Sequence, residues 1–339
     1  MITKAKTKTG KIKKGYKAKS ATHGFVREGA PAVLLTDVTQ EKAHTRLLDI
    51  DFQRSCQCKP THINCLPAKE WMKSQIGVWR FFYEQRDIRD KSVHPATFPI
   101  ALAKKCTELF THKGELVLDP FVGSGTTLVA AADGDRNAVG FDLQAKYVSL
   151  CKGRISQQQM FNSSKQVAVC DDARNISEYL KPESVSLILT SPPYANLLNR
   201  KRLNKSRRGD QRKNDQFLKV EQYSQDTRDL GTLAVEEYSR EMAEIYRKLL
   251  PLLKPRGHCV INVPDMWWEN KRITIHVSLI EVLRNVGYEL RNIIIWDRTN
   301  IVNQIGIFGW PSNYITMGVT FEYLLDFWRP PHEVIHEAQ

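Results

Sequence analysis

The sequence predicts an α/β fold, a doubly wound and mostly parallel sheet carrying an inserted polar region. Three observations predict it. From Glu115 onward short apolar runs alternate with helical ones, a glycine-rich turn follows the first of those runs, and residues 195–234 break the rhythm with polar, basic sequence. Parallel neighbours need a crossover long enough to hold a helix, so apolar strands separated by helices read as βαβ units.

The elements follow in order. A basic arm covers residues 1–23 and a mixed region covers 24–91, with helix-like spacing over Glu70–Tyr83 and Pro99–Phe110. Strands end at Asp119, Asp142, Asp172 and Thr190, with helices over Thr126–Ala132 and Tyr147–Ile155 between them. Residues 92–194 thus make one α/β half, and 195–234 form an insertion. A helix resumes over Val235–Leu253, where Tyr238, Met242, Ile245, Leu249 and Leu252 share one face, and Pro255 and Gly257 are expected to stop it. A strand at 258–263, a helix over Ile273–Val286, and strands over Asn292–Trp296 and Phe321–Trp328 complete the core to residue 330, leaving 331–339 as a tail.

Composition bounds the function. The chain has 339 residues, 42% hydrophobic and 26% charged, enough to bury one large core. No apolar run approaches the ~20 residues that cross a bilayer, and the N-terminus has no apolar signal region. Seven cysteines are an odd number, so a disulfide framework is not expected and a reducing cytoplasm is. The net charge of +13 resides in two short segments. Residues 1–20 carry eight lysines and no acid, and residues 200–219 carry nine basic side chains against Asp210 and Asp215. Such segments suit a phosphate backbone, although the first reads equally well as a solubilising end.

Two motifs carry the chemistry. In Asp119-Pro120-Phe121-Val122-Gly123-Ser124-Gly125-Thr126-Thr127, a strand turns through Gly-x-Gly into a helix. The glycines permit positive φ and close approach of a cofactor lying across the strand ends. Thr126 and Thr127 stand where a dinucleotide loop needs its third glycine, and no Gly-Lys-Ser/Thr follows, so NAD and P-loop readings both fail. Asp142 ends the next strand where an acid accepts hydrogen bonds from ribose hydroxyls, and Asp171-Asp172 end the third within reach of an adenine. The second motif is Ser191-Pro192-Pro193-Tyr194, delivered by the strand ending in Thr190.

With these motifs, the chain over roughly residues 60–330 resembles the bacterial amino-group DNA methyltransferases, in the order that places cofactor motifs first. The likeness begins at His94-Pro95-Ala96-Thr97-Phe98-Pro99 and runs through the glycine loop to Asp142 and Tyr147. It implies the S-adenosylmethionine-dependent methyltransferase type of α/β fold, with S-adenosylmethionine as cofactor and double-stranded DNA as partner. A cognate restriction endonuclease is a further partner it suggests. His94, Pro95 and Phe98 would complete the cofactor pocket, Asp119, Pro120, Phe121, Gly123, Gly125 and Thr126 would border the methionine part, Asp142 would hold the ribose, and Asp171 and Asp172 would face the adenine.

An exocyclic amino group is a poor nucleophile because its lone pair is delocalised into the ring. By resemblance, the Ser191 hydroxyl and the Pro192 carbonyl would accept its hydrogens, with Pro193 stiffening the turn and Tyr194 stacking on an extruded base. Serine at the first position predominates among cytosine-N4 enzymes of the family, and aspartate among adenine-N6 enzymes, so N4 of cytosine is the expected target. Carbon-5 chemistry needs a cysteine after proline, and no Pro-Cys pair occurs. An RNA methyltransferase and a non-catalytic nucleic-acid-binding protein are the alternatives. Within the insertion, Arg200, Lys201, Arg202, Arg207, Arg208, Arg212 and Lys213 are expected to hold phosphates or read guanine edges.

Two other constellations stand apart. Cys56, Cys58, His62 and Cys65 have a spacing that could bind zinc, but the one-residue gap is tighter than usual, so no metal is assigned. His276 lies in an apolar helix and reads as a satisfied core histidine. Asp265, Trp267 and Trp268 border the base pocket or simply pack.

Overall fold

The computed structural model describes residues 46–87, 97–156, 163–197, 226–268, 271–301, 309–310, 314–315 and 319–331. The basic arm, His94, Pro95 and the seven candidate DNA-contacting residues Arg200, Lys201, Arg202, Arg207, Arg208, Arg212 and Lys213 lie outside the described residues.

A short hairpin, β1 (His62–Ile63) and β2 (Leu66–Pro67), leads into α1 (Ala68–Lys73) and then β3 (Val78–Arg80). Next come α2 (Ile100–Phe110), β4 (Leu116–Asp119), α3 (Thr126–Asp133), β5 (Asn137–Asp142), α4 (Ala145–Ser156), β6 (Gln166–Cys170) and β7 (Val185–Thr190). The second half holds α5 (Val235–Leu249), β8 (Leu253–Val263), the hairpin β9 (Met266–Trp268) and β10 (Lys271–Ile273), and α6 (Ile275–Val286). It closes with β11 (Glu289–Asp297), a second small hairpin of β12 (Gly309–Trp310) and β13 (Tyr314–Ile315), and β14 (Phe321–Trp328).

Eight of these strands form one sheet in the order β3-β11-β14-β8-β7-β4-β5-β6. Only β14 runs against its neighbours; β4, β5, β6, β7 and β8 are parallel, and β3 is parallel to β11. This is the doubly wound, mostly parallel sheet the alternation predicts. Side chains alternate across it, which assigns each strand residue to one of two cores. Leu116 and Leu118 pack with Tyr238, Met242 and Ile245 of α5 and Leu279 of α6. Val117 packs on the opposite face with Leu102 of α2, Leu128 of α3 and Val148 of α4.

The chain winds from β4 to β6 in one direction and from β7 to β8 in the other. The reversal falls between β4 and β7, the place where open α/β sheets bind ligands beyond their strand ends. Both motifs leave the sheet there.

Three expectations change at the element level. The helical spacing over Glu70–Tyr83 resolves into α1 and then β3, because Gly77 separates them and Trp79 is buried by pairing with Trp296 at the sheet edge. The helix over Val235–Leu253 ends at Leu249, in a tight turn holding Pro251. Pro255 and Gly257 instead belong to an irregular start of β8, where Arg256 has φ 65° and the register against β7 shifts. A proline is tolerated at such a bulge because no ladder donor is required there. Finally, α6 begins at Ile275, since Ile273 pairs with Met266 in the hairpin.

Candidate active site

The glycine loop and the Ser-Pro-Pro-Tyr loop are joined by one buried carboxylate. Asp119, at the end of β4, accepts hydrogen bonds from Thr127 Oγ1 at 2.6 Å, from Thr190 Oγ1 at 2.6 Å and from the Phe121 backbone N–H at 3.1 Å. Thr127 lies in the first turn of α3 and Thr190 ends β7, so the acid ties the glycine loop to the strand that delivers Ser191. Burial raises its carboxyl to about 6, and the three donors oppose that shift.

The loop conformation is dictated by its glycines. Gly123 has φ 49° and Gly125 has φ 86°, both left-handed. A Cβ on Gly125 would lie 2.4 Å from Cys151 Sγ of α4, so only glycine lets the two elements meet. Gly140 of β5 is required by contact as well: its Cβ would sit 2.4 Å from Val122. From α4, Arg154 reaches back to the Ser124 carbonyl at 2.8 Å, the Ser124 hydroxyl at 3.2 Å and Thr126 Oγ1 at 3.3 Å. It holds the loop from below.

Beyond the strand ends lies a cleft with two chambers. The larger, of about 670 Å³, is walled by Pro120, Phe121, Asp142, Leu143, Asp172 and Ser191, among others. The smaller, of about 300 Å³, is walled by Phe98, Asp119, Phe121, Gly123, Ser124, Thr126 and Ser191. Phe121 and Ser191 border both, which places them at the junction.

The larger chamber is acidic. Asp142 receives the Gly123 N–H at 3.1 Å on Oδ2 and the Gln144 N–H at 2.8 Å on Oδ1. Burial raises it to about 6, against those two donors and with Asp119 and Asp229 adding to the rise. Asp172 and Asp229 complete the acidic wall. Arg174 and Arg228 also line it, but Arg174 pairs with Asp172 and Glu241, and Arg228 pairs with Asp226. A phosphate-bearing cofactor would meet net negative charge here, whereas a nucleoside carrying a cationic sulfur and ammonium would meet complementary charge. S-adenosylmethionine has that chemistry, and the donor set fits it.

The acids after β6 separate. Asp172 faces the chamber, while Asp171 accepts from Tyr179 at 2.6 Å, Arg46 at 2.9 Å and Asn175 at 3.0 Å. Those partners hold Asp171 below the usual carboxylate range despite partial burial.

In the Ser-Pro-Pro-Tyr loop, Pro192 is buried and Pro193 lines the larger chamber. Tyr194 is 7% exposed and packs in the same core as Leu230, Tyr238 and Met242. Its hydroxyl shares a 2.8 Å hydrogen bond with Ser191 Oγ, and burial pushes the phenol well above its ordinary value. The ring expected to stack on a base thus secures the serine from behind.

Residues that sequence reasoning missed come from sequence-distant segments. Asp229 and Leu230 lie in the part expected to be recognition insertion, yet they wall the larger chamber. Asp229 caps its own turn by accepting from the Gly231 N–H at 2.8 Å, and an Asp-x-Gly signal was there to be read. His276 has Nδ1 2.6 Å from Asp265 Oδ1 and stacks on Tyr323 at 3.9 Å, the satisfied core histidine expected. The side chains of Trp267 and Trp268 lie outside the described residues. The Cys-x-Cys-x3-His-x2-Cys set requires a correction: His62 pairs within the β1–β2 hairpin, and His112 takes its place beside Cys56, Cys58 and Cys65.

The DNA methylase family profile, which covers N6 and N4 enzymes, matches residues 7–153 and 185–334. The chain belongs to this family. The Type II methyltransferase M.BglI of Bacillus subtilis is 30% identical over 128 residues, 37% of this chain and 36% of that protein. M.SmaI of Serratia marcescens, also a Type II methyltransferase, is 46% identical over 66 residues, 20% of this chain and 23% of that protein. The chain therefore spans about a third or less of the length of these curated relatives. Among solved structures, TrmN from Thermus thermophilus aligns over 71% of this chain and 52% of its own, at 17% identity and TM-score 0.40. Among the described residues, no helix is long and apolar enough to cross a membrane.

Proposed function

We propose that this DNA methylase transfers a methyl group from S-adenosylmethionine to the exocyclic N4 of cytosine in duplex DNA, acting directly on a flipped base. The single observation that carries this reading is Ser191, which stands at the junction of the two chambers and is tied through Thr190 and Asp119 to the glycine loop.

The cofactor supplies an electrophilic methyl on a positively charged sulfur. Asp142 would accept from the ribose, Phe121 and the Gly123–Gly125 loop would border the methionine end, and Asp172 and Leu143 would flank the adenine. Phe98 closes the smaller chamber. Ser191 Oγ and the Pro192 carbonyl accept the hydrogens of the target amine, which favours a pyramidal nitrogen and aims its lone pair at the methyl. Tyr194 keeps its proton because burial holds it neutral, so its hydroxyl can donate to Ser191 and orient the serine. Stacking of Tyr194 on the base requires its ring to turn toward the cleft when a nucleotide enters. Arg200, Lys201, Arg202, Arg207, Arg208, Arg212 and Lys213 hold the DNA backbone or read guanine edges.

Serine at position 191 supports cytosine over adenine, and the Type II designation of the relatives supports a restriction–modification setting with a cognate endonuclease and a cytoplasmic location. The test is transfer of labelled methyl to duplex DNA followed by nucleoside analysis. N4-methylcytosine is expected. N6-methyladenine alone overturns the base assignment, and label found only in RNA overturns the DNA reading.

A further inference from the structure

We infer that Cys56, Cys58, Cys65 and His112 form a closed structural zinc site, which clamps the segment before the fold to the entry of β4. The four ligand atoms all lie within 4.8 Å of one another. Cys58 Sγ and Cys65 Sγ are each 3.3 Å from Cys56 Sγ, and His112 Nδ1 is 3.4, 3.7 and 3.5 Å from the sulfurs of Cys56, Cys58 and Cys65. Tetrahedral zinc with bonds of ~2.3 Å to sulfur and ~2.0 Å to nitrogen needs edges of ~3.5 Å from nitrogen to sulfur and ~3.8 Å between sulfurs. The His112 separations match the first, and the two sulfur–sulfur separations fall ~0.5 Å inside the second, a small adjustment for an ion to make. They are too long for a disulfide, whose sulfurs stand ~2.05 Å apart, and all three cysteines are free.

Independent features of the surroundings agree. The Lys113 backbone N–H points at Cys65 Sγ at 3.4 Å, the type of donor that stabilises a metal-bound thiolate. Asn64 and Cys65 both adopt left-handed backbone, with φ 49° and 74°, at the tip of the β1–β2 hairpin. A two-residue hairpin turn requires that conformation at both positions, and here the turn sets Cys65 beside Cys56 and His112. The charge of the surroundings is compatible with a metal. Arg136 is 3% exposed and its guanidinium hydrogen-bonds to oxygens of Thr111 and Gly134, with Glu108 and Asp135 acting on it electrostatically. A zinc ion with three thiolates and a neutral imidazole carries net −1, and both Arg136 and Arg54 interact electrostatically with the cysteine cluster.

Four protein ligands leave no open position, so the ion is structural and takes no part in transfer. What it holds is specific. The Ser55 N–H donates to the Lys113 carbonyl at 2.8 Å, Asn64 Nδ2 donates to the Leu109 carbonyl at 2.6 Å, and a Cβ on Gly114 would lie 2.6 Å from the Gln53 carbonyl. The chain around residues 53–65 is thus stapled to the end of α2, immediately before the strand that carries Asp119.

The test is metal analysis of the full-length protein purified without chelator. One zinc per chain is expected for the wild type and for His62→Ala, with His112→Ala and Cys65→Ser falling to near zero. Because those two variants can fail to fold, the wild type is also loaded with cobalt. A sulfur-to-cobalt charge-transfer band and intense visible bands of tetrahedral cobalt are expected. Metal-free wild type with unchanged thermal unfolding when zinc is added, zinc lost in His62→Ala, or a disulfide among the three cysteines would overturn the inference.

Discussion

Asp142 and Asp119 are the residues whose chemistry most directly links fold to ligand. Both carboxyls stand near 6, against ~3.9 in an unfolded chain. Between about pH 4 and 6 the folded state therefore holds protons that the unfolded state has released. The contribution of these two groups to stability is fully present below about pH 4 and is lost as pH rises through 6. In the proposed role of Asp142, cofactor binding responds in the opposite sense, because its carboxylate would have to be ionised to accept from two ribose hydroxyls. Affinity for S-adenosylmethionine, measured by calorimetry, should weaken by about tenfold per unit below pH 6, and Asp142→Asn should bind more weakly with that dependence removed. An unchanged slope in the variant would assign the proton elsewhere. Gly125 offers a steric test. Gly125→Ala combines a left-handed φ, worth ~1–2 kcal/mol, with contact against Cys151. Chemical denaturation should show a loss of at least that size in the wild-type background, and a smaller loss with Cys151→Ala, where the sulfur is gone.

At the scale of elements, the junction of β4, α3 and β7 is a hydrogen-bonded joint. Thr190→Val keeps the side-chain volume but removes one of three donors to a buried carboxylate. Loss of a hydrogen bond to a charged group costs ~1.5–3 kcal/mol. That penalty should appear near pH 8 in thermal unfolding and shrink on acidification below 6, where the carboxyl is protonated. A pH-independent change would mean the threonine contributes packing alone. The same joint explains what was legible beforehand. Strand, glycine turn and helix succeed one another within a few residues, so Asp119, Gly123, Gly125 and Asp142 could be read directly from local pattern. Val235–Leu249 was legible for the same reason, its apolar face repeating at helical spacing. The start of β8 was not, because Pro255 and Gly257 signal an interruption without saying whether a helix or a strand is being interrupted. Nor was Tyr194 placed: Pro-Pro-Tyr specifies a stiff turn, and which way the ring goes depends on Leu230, Tyr238 and Met242 arriving from later in the chain.

Across the whole molecule, the core is nearly neutral and the excess charge is confined to residues 1–20 and 200–219. Such a distribution separates DNA attraction from cofactor binding. Replacing Arg207, Arg208 and Arg212 with glutamine should lessen the salt dependence of duplex binding, by about 0.9 in the log–log slope for each phosphate contact removed. S-adenosylmethionine affinity should be unchanged. A loss of cofactor binding would instead make that segment part of the pocket, as Asp229 and Leu230 already are. Long-range assembly is also where sequence reading stopped. His112 lies 47 residues beyond Cys65, and only the folding of α2 against the β1–β2 hairpin brings them together. Arg154 reaches Ser124 across 30 residues by the same kind of tertiary return.

In the proposed mechanism Ser191, at the junction of the two chambers, holds the amine that receives the methyl group. The decisive measurement is single-turnover methyl transfer to duplex DNA by Ser191→Ala, with cofactor affinity measured on the same preparation. The expected rate is lower by about a hundredfold or more, the size seen when one preorganised hydrogen-bonding group is removed from a reacting centre, with S-adenosylmethionine bound as tightly as by the wild type. A variant that transfers methyl at the wild-type rate would contradict it.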